Sequence, residues 1–67
     1  MPKVCDIIKS RRKEMRLTQS DLANAAGVSR LTVIHWEKGT LPSLKNMTAL
    51  EAALELPRGS LLIMASY

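Results

Sequence analysis

The stretch Thr18 to Lys38, TQSDLANAAGVSRLTVIHWEK, decides the fold. Thr18 carries a side-chain oxygen that can accept from a free backbone N–H, and Asp21, three positions on, completes a reciprocal capping pair. A helix is therefore expected to start at Gln19. Gly27 stops it near Ala26, because helices close through a left-handed residue and glycine adopts that conformation most easily. Ser29 caps a further helix over 30–37, which ends at Gly39. Two short helices with a tight turn between them are the expectation.

The second of these helices has two unlike sides. At ~100° per residue, Val33 and Trp36 share one side with Ser29, while Arg30, Leu31, Ile34, His35 and Lys38 occupy an arc of about 140° opposite. Val33 and Trp36 suit a core. The opposite arc has the width and residue types of a stripe facing the major groove of DNA. Arg30 can donate two hydrogen bonds to guanine O6 and N7, Leu31 can touch a thymine methyl, and His35 can bond a purine acceptor or a phosphate. Ile34 either belongs to that stripe or packs against a neighbouring helix or second subunit.

Outward from this pair the pattern stays helical, without strand-like alternation, repeats or low-complexity segments. A first helix is expected over about 4–15, with Val4, Ile8, Met15 and Leu17 turned inward and Lys9, Arg11, Arg12, Lys13 and Arg16 outward. Pro42-Ser43 opens a fourth helix over about 44–54, with Leu44, Met47, Leu50 and Leu54 on its apolar side. Leu56-Pro57 ends it, and a short fifth helix is expected over 58–64. The expected class is all-α: a single domain over residues 1–67, built as a five-helix bundle.

The chain has 67 residues, 46% of them hydrophobic and 3% aromatic. One small core of aliphatic residues is what such a length can hold, and a chain this size rarely gains more than ~3–5 kcal/mol from its core. Dimerisation is a reasonable expectation on that ground alone. The net charge is +4. All of it lies within residues 1–40, where eight basic residues face four acidic ones, while beyond Thr40 the charges cancel. Such asymmetry fits a polyanion-binding face or, equally, a solvated basic helix.

The single cysteine, Cys5, allows neither an internal disulfide nor a Cys-rich zinc site and reads as a small core residue. No secretory signal is evident, and the apolar run Leu61 to Ala65 is far shorter than the ~20 residues of a membrane span. A cytoplasmic protein, nucleoid-associated when bound to DNA, is expected.

The run Leu17-Thr18-Gln19-x-x-Leu22-Ala23-x-x-x-Gly27-Val28-Ser29-Arg30-x-Thr32-Val33-x-x-Trp36-Glu37-x-Gly39 strongly resembles the phage-repressor and Cro-like (XRE-type) helix-turn-helix family. Pro42-Ser43-Leu44, Leu50, Ala53 and Leu61-Leu62 extend the likeness over about residues 7–62. The resemblance implies a compact lambda-repressor-like domain. It implies that Gln19 contacts the DNA backbone and sometimes bases, and that Ser29, Arg30, Leu31 and His35 occupy the usual contact positions of the recognition helix. It also implies a partly buried ion pair between Arg12 and Glu37. Glu55 departs from the pattern, standing where the family usually has glycine, so a differently shaped turn is expected there. The family's dimer contact often lies beyond this point, which makes Leu61, Ile63, Met64 and Tyr67 interface candidates, with Leu61 and Leu62 equally suited to the core.

The functional expectation is a sequence-specific regulator of transcription, a homodimeric repressor on an inverted repeat of double-stranded DNA. Gln19, Ser29, Arg30, Leu31, Ile34 and His35 would make contacts, with Lys38, Arg11, Arg12 and Arg16 supplying charge for phosphates. The alternatives are an antitoxin or a restriction-modification controller of the same fold, although antitoxins of this fold usually carry extra surface or a tail. One His, one Cys and no carboxylate pair at a telling spacing argue against an enzyme and against a metal site. No cofactor is implied. A chain of this length also leaves little interior for a small-molecule ligand.

Overall fold

The computed structural model describes residues 3–65, and the side chains of 3–63. Five helices follow in order: α1 (Val4–Glu14), α2 (Gln19–Ala26), α3 (Arg30–Glu37), α4 (Leu44–Ala53) and α5 (Ser60–Ala65). No strand occurs among the described residues. α2 packs on α3 and α4, α1 on α3 and α5, and α4 on α5.

Local signals account for the starts. Ser29 and Ser43 cap α3 and α4 through their hydroxyls, which accept from the Thr32 and Asn46 N–H groups. The Thr18 hydroxyl accepts from the Asp21 N–H at 3.0 Å, and the Asp21 carboxylate accepts from the Thr18 N–H at 2.9 Å. Hydrogen bonds from the Thr18 backbone, and then from its side chain, hold the Asp21 carboxyl below its ordinary value of 3.8. A lowered folded-state value means that the cap's contribution is complete above the unfolded pKa and disappears as pH falls through the folded one. Acid titration of thermal stability is expected to show this loss below about pH 4. Asp21→Asn should remove that part of the pH dependence, and an unchanged acid limb would contradict the assignment.

The ends share one device. Arg16, Gly27, Gly39 and Glu55 all have positive φ, at 59°, 73°, 121° and 55°. After each, the next N–H reaches back to the helix: Leu17 to Arg12, Val28 to Ala23, Thr40 to His35 and Leu56 to Glu51, at 2.9–3.0 Å. Contrary to the expectation of a different turn, Glu55 follows the left-handed path that glycine would take. A side chain there costs roughly 1–2 kcal/mol, partly offset by the larger unfolded-state entropy of glycine. Glu55→Gly is therefore expected to stabilise the domain by about 0.5–1 kcal/mol. A Tm unchanged or lowered in thermal unfolding would count against it.

The core comprises Val4 and Ile8 of α1, Leu22 and Ala23 of α2, Val33 and Trp36 of α3, Met47 and Leu50 of α4, then Leu54 and Leu61. Met15 and Leu17 pack partly buried against it, as expected, and Cys5 is half-buried. Two expectations are corrected. Leu44 is not on the buried side; it begins α4 beyond the core's edge and is 62% exposed. Leu61 is fully buried and belongs to the core, so it is not available to an interface.

Leu61 is fixed there by Glu51, a buried residue of α4. The Glu51 carboxylate accepts from the Gly59 N–H and from the Leu61 N–H, both at 2.9 Å. These charge-assisted bonds cap the start of α5 from a neighbouring helix and satisfy the carboxylate's own burial.

Candidate nucleic-acid interface

α3 presents to solvent the arc read from the sequence. Val33 and Trp36 are buried, while Arg30, Leu31, His35 and Lys38 are exposed. Ile34 lies between, half-buried. Leu31 keeps 60% of its surface exposed, a cost in water that an apolar partner such as a thymine methyl would remove. Ser29 is exposed, but its hydroxyl is engaged locally, accepting from the Thr32 N–H and sharing a 2.9 Å bond with the Thr32 hydroxyl.

Beside the N-terminal end of α3 lies the first turn of α2. An open concavity of about 490 Å3 runs between them, lined by Arg12, Thr18, Gln19, Ser20 and Arg30. The free N–H groups and positive dipole end of α2 favour an anion there. Thr18 and Ser20 were not singled out as site residues in the sequence. Thr18 is the N-cap of α2 and Ser20 lies in its first turn, on either side of Gln19.

The basic residues of α1 divide sharply. Arg12 donates from Nε to Glu37 Oε2 at 2.7 Å and from a terminal nitrogen to Glu37 Oε1 at 3.1 Å, and its other terminal nitrogen donates to the Leu17 carbonyl at 2.8 Å. The two side chains retain only 12% and 5% of their surface. Arg12 thus braces α1 against the end of α3 through three hydrogen bonds, while it also lines the open concavity beside Gln19 and Arg30. Arg11 is similarly engaged, donating to the Leu54 carbonyl at 2.8 Å and pairing with Glu14 at 3.0 Å. Its contact with residue 54 spans 43 positions and has no local sequence signal. Lys9, Lys13, Arg16 and Lys38 are exposed.

Among the interface candidates, Ile63 of α5 is exposed. The Met64 side chain and Tyr67 lie outside the described residues. No group of three or more residues able to hold a metal ion occurs among the described residues. No helix there is long and apolar enough to cross a membrane.

Five helices among the described residues, with a capped two-helix motif and an arc of Arg30, Leu31, His35 and Lys38 exposed on its second helix, are the architecture of a helix-turn-helix DNA-binding regulator of transcription. A family model described as helix-turn-helix matches residues 8–61, and the chain belongs to that Cro-like family. No curated protein and no solved structure matches the chain.

Proposed function

We propose that this protein is a sequence-specific repressor that binds an inverted-repeat operator as a homodimer, with α3 in the major groove of each half-site. The observation that carries this reading is the division of α3, in which Arg30, Leu31 and His35 are exposed while Val33 and Trp36 are buried. Gln19 and Ser29 stand at the two helix starts that approach DNA, Ile34 borders the reading stripe, and Lys38 and Arg16 supply charge for phosphates. Arg11 and Arg12 brace the fold and add positive charge beside the phosphates. Pairing would use the outer surface of α5 around Ile63. Two copies of α3 would then enter successive major grooves ~34 Å apart. The function is binding, with no catalytic step.

The test begins with selection of bound duplexes from a randomised pool. A two-fold symmetric motif is expected, and a duplex cut to one half-site should bind much more weakly than the intact repeat. An asymmetric motif bound by one copy would overturn the dimeric reading. Arg30→Ala is expected to lose ~1–3 kcal/mol and to relax preference at one base position per half-site. Uniform weakening across all sequences would instead make Arg30 a phosphate contact.

A further inference from the structure

Glu37 has a second partner besides Arg12. Gln19 Nε2 lies 3.4 Å from Glu37 Oε1, on the oxygen that Arg12 also approaches. A carboxylate can only accept hydrogen bonds, so the amide nitrogen of Gln19 faces it and uses one of its two N–H groups there. The planar amide then carries its carbonyl oxygen on the other branch. Gln19 is half-buried at the first position of α2 and lines the same concavity as Arg30. A glutamine without such a partner would present either end to DNA.

The geometry points to Glu37 as a positioning residue that fixes the polarity of Gln19, so that a carbonyl acceptor meets the DNA. An acceptor is poorly matched to a phosphate and well matched to an exocyclic base amine, adenine N6 or cytosine N4. Gln19 thereby selects an amine-bearing base near the guanine-type acceptors that Arg30 suits. The buried ion pair then does more than brace α1 against α3, since its acidic member also sets one letter of the recognised sequence.

This inference rests on the reading that Gln19 touches DNA, and the two are separable. The probe is the duplex selected by the wild-type chain from a randomised pool, together with its single-base variants. Binding is measured for Gln19→Ala, Glu37→Gln and the charge-free double variant R12M/E37M, with folding of each followed by circular dichroism. Gln19→Ala is expected to lose about tenfold in discrimination at one position. In E37Q the oxygen of the new amide stays with Arg12 Nε, its nitrogen takes the place of Oε1 and gives up the second Arg12 bond, and Gln19 turns round to accept from it. Preference at that position should move from an amine-bearing base to one offering an acceptor. R12M/E37M keeps a packed site without a carboxylate and should relax the same position while remaining folded.

If E37Q is poorly folded, R12M/E37M alone decides the matter. Retention of wild-type preference in the folded Glu37 variants, with Gln19→Ala altered, would overturn the positioning role and leave the Gln19 contact standing. Uniform weakening by Gln19→Ala would make Gln19 a phosphate donor and overturn the acceptor assignment. An unaffected Gln19→Ala would remove the DNA contact itself.

Discussion

Trp36→Ala is expected to leave much of the protein unfolded at 25 °C. Trp36 is 3% exposed on the inner side of α3, the helix that packs on both α1 and α2. Truncating such a side chain costs ~3–5 kcal/mol through lost transfer energy and the cavity left behind. A domain of 67 residues has a total stability of about 3–10 kcal/mol, so one substitution removes a large share of it. Leu31→Ala provides the contrast on the same helix. With 60% of its surface exposed, Leu31 should change stability by no more than about 0.5 kcal/mol while weakening DNA binding. Thermal unfolding by far-ultraviolet circular dichroism compares the two. Similar losses for both would mean that the faces of α3 are wrongly assigned.

Arg12→Met is expected to be the most damaging single change at a charged position. It leaves the Glu37 carboxylate, 5% exposed, with only the Gln19 amide at 3.4 Å in place of two short guanidinium bonds. Breaking a buried pair from one side typically costs ~3–5 kcal/mol, because the remaining charge is stranded out of water. The double variant R12M/E37M removes both charges and should regain much of that loss. The four proteins form a double-mutant cycle that isolates the coupling between the residues. A cost for Arg12→Met below about 1 kcal/mol, the range of exposed pairs, would show that the pair is effectively solvated.

The parts of this fold that were legible in the sequence are those set by neighbours along the chain. Thr18 with Asp21, Ser29 and Ser43 mark helix starts through bonds to residues three positions away. Gly27 and Gly39 mark helix ends, and the periodicity of residues 30–37 separates Val33 and Trp36 from the exposed arc. The Arg12–Glu37 pair was anticipated only through family resemblance, since its partners stand 25 positions apart.

Contacts that depend on distant segments were not legible. Arg11 looked like one more surface cation because nothing local announces the Leu54 carbonyl. Glu51 counts in the sequence as an ordinary negative charge, although it shares a helical stripe with Met47 and Leu54 at offsets of four and three. A charged residue inside an apolar stripe implies a buried partner, here the first N–H groups of α5. Leu61 was ambiguous for the same reason, since its burial follows from how Glu51 anchors that helix. Glu55 shows a further limit: a residue disfavoured in the left-handed region still adopts it when the closing bond from Leu56 to Glu51 requires it.

The measurement that bears most directly on sequence reading by α3 is a competition at physiological salt. The intact chain would be offered the duplex selected from a randomised pool together with a scrambled duplex of equal length and composition. A preference of ~10³-fold or more for the selected duplex is expected of specific recognition. Arg30→Ala should reduce that preference while leaving affinity for the scrambled duplex nearly unchanged. Equal affinity of the wild-type chain for both duplexes would contradict sequence-specific binding.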